Sequence, residues 1–340
     1  MRRILAASVF LVILCVGGLT VSAKGPTLIR VGYFPNITHA PAVIGIADGS
    51  FAQGMGKDVK IQSYQFNAGP SAMEALLAGQ LDLVYVGPNP AANCYIKSEG
   101  QALRIIAGCC SGGAAMVVRA DSNIRGDKDL RGKRIATPQL GNTQDVAFRS
   151  YLLAHSLKPR ENGGDVQVLP TSNSNLLLLF ERREIDGAWT VEPWVSRLIV
   201  EGGGRLFLDE RDLWEGGRFT TAVLVVSTAF LHKYPDLVKR WVDLHVGLCQ
   251  KIKADPVWAK AAINRELERV AGKPLTEKVL DQAWSRLEIT YDPLSATLRK
   301  ATQQAYDLGF LGDKKPDLKN LYNLSYLQSV LKSRGLPPVK

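Results

Sequence analysis

Five short segments of this 340-residue chain place small, hydroxylated or amide residues where apolar runs stop and helical spacing begins. They read Gly69-Pro70-Ser71, Gly87-Pro88-Asn89, Ser111-Gly112-Gly113, Gly141-Asn142-Thr143-Gln144 and Trp189-Thr190-Val191-Glu192-Pro193-Trp194, and none contains Lys or Arg. Small side chains let a ligand approach backbone N–H groups closely, and a helix N-terminus points the positive end of its dipole at that ligand. Neutral N–H and hydroxyl donors of this kind suit an oxyanion such as a sulfonate or a carboxylate. Each segment taken alone reads first as a helix cap or a turn. Five of them, at matching points of two halves of the chain, point to a site.

Larger side chains near these segments keep two readings each. Trp189, Trp194 and Tyr33 can wall a pocket or fill a core. Glu192 either complements the dipole of a helix first turn or accepts hydrogen bonds from an amine or hydroxyl of a ligand. His39 is a ligand-lining donor or a residue of a helix start. Asp145, inside a first helical turn, reads as structural. The four histidines, at 39, 155, 232 and 245, have neither zinc nor triad spacing, so the sequence predicts no catalytic residue, metal or cofactor. Gly202-Gly203-Gly204 lacks the following Lys-Ser/Thr of a phosphate loop and reads as a helix stop.

The elements that must position these residues alternate. Strand-like runs cover 28–34, 59–66, 81–86, 103–110, 115–118, 133–137, 165–169, 185–190 and 205–208, with 221–226 as a final buried strand. Between them lie helical stretches such as 70–79, about 142–157 and 173–183, and helical signals dominate after 227. Such alternation argues for α/β architecture with mostly parallel sheets, whose ligands bind beyond the carboxyl ends of the strands. One lobe is expected over 24–112 together with the helical tail 223–340, and a second over 113–222. The absence of a Pro/Ser-rich linker predicts crossings made of strands and closure by a hinge. No internal repeat is visible.

The N-terminus reads as an export signal. Met1-Arg2-Arg3 is positive, Ile4–Val16 is uncharged and apolar, and Val21-Ser22-Ala23 offers small residues for cleavage. A signal peptide over 1–23 leaves a mature chain from Lys24, 317 residues long and with a net charge of +8. Lys and Arg are interspersed with Asp and Glu, which argues against nucleic acid as a partner. Cys94, Cys109, Cys110 and Cys249 read as small buried residues; a bridge from Cys94 to Cys109 or Cys110 is allowed in an oxidising compartment.

These residues resemble the nitrate/sulfonate/taurine branch of periplasmic solute-binding proteins. The likeness is carried by Gly32-Tyr33-Phe34-Pro35-Asn36, by Phe66-Asn67-Ala68-Gly69-Pro70-Ser71 with Glu74-Ala75-Leu76, and by Leu81-Asp82. It continues through Asp129-Leu130-Arg131-Gly132-Lys133, Gly141-Asn142-Thr143 and Ile185-Asp186-Gly187-Ala188-Trp189 to Glu192-Pro193, covering about residues 28–230. It implies a two-lobed type II binding fold, each lobe a mostly parallel sheet flanked by helices, with the ligand in the interlobe cleft. It further implies a periplasmic monomer that delivers a small anion to an ABC permease with a cytoplasmic ATPase. Tyr33, Asn36, His39, Gly69, Pro70, Ser71, Gly87, Asn89, Ser111, Gly112, Asn142, Thr143, Gln144, Trp189 and Glu192 are then the expected ligand-binding set.

Within that branch the nearly cation-free loops match the sulfonate and taurine relatives better than the nitrate type, which brings basic residues to its anion. Nitrate or bicarbonate remains an alternative ligand. Tyr33-Phe34-Pro35-Asn36 and His39 also resemble relatives that bind a thiamine-precursor pyrimidine. A fungal synthase that builds a pyrimidine from its own histidine shares the fold, with faint likeness at His39 and Cys109-Cys110. The export signal argues against that intracellular enzyme. A periplasmic partner of a membrane sensor is a third class.

Overall fold

The computed structural model describes residues 27–339; the expected signal peptide 1–23 and its cleavage site lie outside the described residues. In chain order the first stretch runs β1 (Thr27–Tyr33), α1 (Ala40–Ala47), α2 (Ser50–Met55), β2 (Val59–Gln65), α3 (Gly69–Leu77), β3 (Leu83–Val86), α4 (Pro88–Lys97) and β4 (Leu103–Gly112). The second runs β5 (Ala114–Arg119), β6 (Arg134–Thr137), α5 (Thr143–Ala154), β7 (Gln167–Pro170), α6 (Leu176–Glu181), β8 (Gly187–Val191), α7 (Trp194–Val200) and β9 (Gly204–Asp209). The chain then returns through β10 (Thr220–Ser227), α8 (Thr228–Lys233), α9 (Pro235–Ala254), α10 (Pro256–Ala271), α11 (Glu277–Ser285), β11 (Leu287–Ile289), α12 (Ser295–Asp307) and α13 (Ser325–Ser333).

Two sheets result, ordered β11-β4-β10-β3-β1-β2 and β7-β6-β8-β5-β9. Their central strands are largely apolar and buried because helices cover both faces. All eight residues of β10 and all four of β3 are buried. Side chains alternate across the sheet. Leu83, Tyr85, Leu224 and Val226 join one core with α1, α9 and α10, while Val84, Val86, Val223 and Val225 join another with α3 and α4. The second sheet repeats the arrangement. Met116, Val118 and Trp189 face Phe148 and Leu152 of α5, and Ala115, Val117 and Ala188 face α6 and α7.

Both sheets are mixed, which refines the expectation of mostly parallel sheets. Strand β10 pairs antiparallel with both β3 and β4, and β5 pairs antiparallel with β8 and β9. The physical reason is the crossing: each of these strands arrives from the other sheet, so it runs against the strands that lead out to the cleft. Two further expectations change. Strand β10 is not the last, since β11 adds an antiparallel edge to β4, and three residues are too few to show periodicity. Ser111 and Gly112 belong to β4, so only Gly113 separates the strands there.

An internal repeat, invisible in the residue types, is plain in the contacts. Arg30 of β1 donates from its amide (2.8 Å) and Nε (2.9 Å) to Asp82 ahead of β3, and from Nη1 to the carbonyl of Gly79. Arg134 of β6 donates from its amide (2.8 Å) and Nε (3.3 Å) to Asp186 ahead of β8, and from Nη2 to the carbonyl of Arg183. In each lobe the partners lie 52 positions apart. The shift in numbering that carries Arg30 to Arg134 also carries His39 to Thr143 and Gly69 to Asn173. Burial alone would raise the pKa of Asp186, yet the Arg134 amide and guanidinium bring it below its ordinary value.

Under the first sheet, a buried polar chain ties α9 to the strands. Trp241 Nε1 donates to the Tyr85 hydroxyl (3.3 Å), which meets His245 Nδ1 (3.2 Å), while His245 Nε2 donates to the carbonyl of Gly108 (2.8 Å). Burial depresses the His245 pKa to about 4, from an ordinary 6.5. A histidine depressed in the folded state contributes stability that is intact above about 6.5 and is lost as pH falls toward 4. His245→Asn should cost about 2 kcal/mol at pH 7 by stranding buried polar groups. The gap between wild type and variant should narrow at pH 5, where only the wild type loses this contribution. Urea unfolding at the two pH values measures both.

Candidate functional site

The carboxyl ends of β1, β3, β6 and β8 meet across the cleft between the sheets. The loops that follow them close on an inner cavity of about 20 Å³, room for roughly one water-sized group. Its walls are Phe34, Asn36, Thr38, His39, Asn67, Gly87 and Thr221 from the first lobe, and Asn142, Thr143, Gln144, Asn173 and Val191 from the second. Of these residues only His39 carries an ionisable side chain.

The hydrogen bonds decide what this cavity offers. Asn36 Oδ1 accepts from Trp194 Nε1 (3.1 Å), Asn173 Oδ1 from the Thr190 hydroxyl (2.8 Å), and Asn142 Oδ1 from the Gly69 amide (3.4 Å). An amide whose oxygen is engaged presents its NH₂. Asn142 donates to Gln144 Oε1 (3.5 Å), which leaves the NH₂ of Gln144 as the free end. His39 accepts the Phe34 amide on Nδ1 (3.4 Å), so its proton sits on Nε2. Burial depresses its pKa to about 3 and keeps it neutral. The Thr143 hydroxyl, in the first turn of α5, is buried without a partner among the described residues. Asn36, Asn142, Asn173, Gln144 and His39 thus line the cavity as uncharged groups whose acceptor ends are already bound.

Support for this lining lies one layer back. Asp145 is fully buried and accepts from the Thr137 hydroxyl (2.8 Å), the Gly141 amide (2.9 Å) and Arg149 Nε (3.0 Å), which fixes the turn carrying Asn142 and Thr143. Gly87 is needed for closure: a Cβ there would stand 2.2 Å from the Thr143 hydroxyl oxygen.

Of the residues expected from sequence, Asn36, His39, Gly87, Asn142, Thr143 and Gln144 come together here. Gly69 holds Asn142 through its amide, and Pro70 continues the same first turn of α3. Ser71 lies toward another mouth of the cleft, its hydroxyl donating to the carbonyl of Ala68 (3.0 Å). The rest lie elsewhere. Tyr33 is core, its hydroxyl accepting from Gln65 Nε2 (3.0 Å). Asn89 ties α4 to α12 by donating to the carbonyl of Ala301 (2.9 Å). Ser111 Oγ accepts the Phe219 amide (3.2 Å), and the Gly112 carbonyl accepts the Thr221 hydroxyl (2.6 Å), so both serve the strand crossing. Trp189 is fully buried against Phe148 and donates Nε1 to Glu210 (2.8 Å).

Glu192 is also corrected. Its carboxylate is fully buried and accepts from the Ser196 amide (3.1 Å), the Ser196 hydroxyl (3.0 Å) and Arg286 Nη1 (3.1 Å). It latches the second lobe to the segment ahead of β11 and lines neither the inner cavity nor its surroundings. Burial outweighs the pull of Arg286 and raises its pKa to about 7. Among the described residues the four cysteines are buried free thiols, and no group of His, Cys, Asp or Glu could hold a metal. Sequence reading missed Thr38, Asn67, Asn173 and Thr221. Asn173 was findable as the counterpart of Gly69 under the repeat; Thr221 carries no local signal inside an apolar strand.

Two α/β lobes meeting over a donor-lined cleft define the class of two-lobed periplasmic solute-binding proteins. The NMT1-like family is matched over residues 22–266, and the chain belongs to that family. It is similar to the taurine-binding periplasmic protein of Escherichia coli (strain K12), 29% identical over 236 residues, 69% of this chain and 70% of that protein. Two solved structures share the fold. The alkanesulfonate-binding protein of Xanthomonas axonopodis pv. citri bound to MOPS has a TM-score of 0.70 at 24% identity, covering 86% of this chain and 96% of that one. The periplasmic nitrate-binding protein of Synechocystis PCC 6803 has a TM-score of 0.77 at 13% identity, covering 92% and 90%.

Two outcomes follow from this geometry. Glu192→Ala leaves Arg286 facing a buried gap and should destabilise the protein by about 3 kcal/mol, read by urea unfolding. Gly87→Ala keeps an ordinary backbone conformation but pushes the Thr143 hydroxyl out of place. It should weaken ligand binding by calorimetry at least about tenfold while unfolding stays within about 1 kcal/mol of wild type.

Proposed function

We propose that this chain is the exported, non-enzymatic binding component of an ABC importer, and that it captures a small sulfonate, aliphatic or taurine-like, for delivery to a permease. Lobes of 24–112 with 223–340 and of 113–222 close on the ligand, and the protein works as a periplasmic monomer. The observation that carries the reading is the inner cavity, where amide, imidazole and hydroxyl donors converge without a cation. Fixed dipoles at helix starts and engaged amides stabilise a spread negative charge. The names of the taurine- and alkanesulfonate-binding relatives support the same chemistry.

The alternatives fit less well. An aminopyrimidine needs acceptors as well as donors, and the side-chain oxygens of Asn36, Asn142, Asn173 and Gln144 are engaged. Turnover needs a nucleophile or base at the cavity, whereas His39 is neutral and bound on Nδ1. Cys109, under Thr38, stays a thiol because burial raises its pKa.

A thermal-shift screen against alkanesulfonates, taurine, nitrate, bicarbonate and aminopyrimidines tests the reading. A ligand at a hundredfold excess over its Kd adds about 2.7 kcal/mol, worth roughly 5 °C for a chain of this size. Sulfonates should give that shift and be recovered unchanged. Thr143→Val should weaken them about tenfold to a hundredfold. A shift with nitrate or a pyrimidine and none with any sulfonate overturns the assignment.

A further inference from the structure

Beside the inner cavity lies a second chamber of about 230 Å³. Asn36, Asn67 and Asn173 line both, forming a polar neck between them. Beyond the neck the chemistry changes. Phe66, Pro193 and Trp194 form one side, and Leu267, Val270 and Leu275, from α10 and the turn after it, form the other. Arg197 and Glu201 also face this chamber, but they bind each other through two nitrogens (2.9 and 3.0 Å), and the guanidinium lies 4.9 Å over the Trp194 ring. Lys273, exposed at the rim, adds a positive charge.

We propose that this outer chamber takes the tail of the ligand and selects an uncharged, apolar tail; the inference rests on the inner cavity holding the oxyanion. A bare inorganic anion would use the donors and leave the apolar walls in contact with water. An ammonium tail would lose its hydration among apolar side chains, near Lys273, with the one carboxylate on the wall committed to Arg197. An alkyl or aryl tail removes apolar surface from water on both sides of the contact. Phe66, Leu267 and Val270 are then specificity-determining residues for the same site.

Titration calorimetry of the full mature chain with methane-, ethane-, butane- and hexanesulfonate, and with taurine, tests this. Affinity should rise about fourfold for each methylene that enters the chamber. Ethanesulfonate should bind about tenfold more tightly than taurine, its amine-bearing relative. Val270 is 38% exposed at the chamber wall, so Val270→Trp fills the space without disturbing a buried core. It should bring hexanesulfonate down to the affinity of methanesulfonate and leave methanesulfonate unchanged. Phe66→Ala should lower the gain per methylene while preserving the head. Methanesulfonate binding with no dependence on chain length, or taurine preferred over ethanesulfonate, overturns the tail site and leaves the oxyanion site standing. Failure of every sulfonate to bind overturns the oxyanion site, and the tail site with it.

Discussion

An anion held without a counter-charge needs donors locked in place around it as the lobes close, because dipoles free to turn would give back much of the gain. That requirement organises the cleft. Three asparagine oxygens that would repel an anion are tied to protein donors: Trp194 on Asn36, Thr190 on Asn173, the Gly69 amide on Asn142. The Trp194 and Gly69 bonds run from one lobe to the other. The donor pattern is therefore complete only when the lobes are close, and it loosens as they part. Capture and release share one set of bonds.

The layer behind the donors follows from the same need. Asp145 and Arg149 hold the turn at the start of α5, and Glu192, Ser196 and Arg286 hold the loop after β8. These buried charges sit away from the ligand yet fix the backbone that meets it. The protein thus separates full charges, which position, from neutral dipoles, which bind. A cation inside the cavity would tighten any anion indiscriminately; neutral donors leave discrimination to shape and tail.

Much of the fold was legible in the residues. Apolar runs such as those at 83–86 and 222–226 announce strands covered on both faces, and proline with glycine brackets α3. Half of the site was legible too, since Asn142 and Thr143 follow a strand and open a helix. What escaped was of two kinds. Glu192 and Trp189 lie in a strand-end segment that does line the cleft, but their side chains turn back into the lobe, and local sequence does not encode that rotation. Thr221 and Asn173 reach the cavity through strand pairing and through the repeat, both of which are long-range. The repeat itself hides because its counterparts differ in type: His39 matches Thr143 and Gly69 matches Asn173, while only Arg30–Asp82 and Arg134–Asp186 keep their chemistry.

The two strand crossings have a mechanical consequence. Gly112 and Gly113 both take left-handed backbone angles, φ 72° and 75°, a region other residues enter only with strain. The returning strand is bonded to the outgoing one at the same level: the Gly112 amide to the Phe219 carbonyl, the Phe219 amide to Ser111 Oγ, and the Thr221 hydroxyl to the Gly112 carbonyl. Two ropes lashed together side by side bend easily across their common plane and resist both shear and torsion. A swing of the lobes would accordingly turn about one axle at this crossing. Every ligand atom then approaches its donors along a single arc, so a molecule too long for that arc stops the swing short, with the donors at the axle engaged and those at the rim apart.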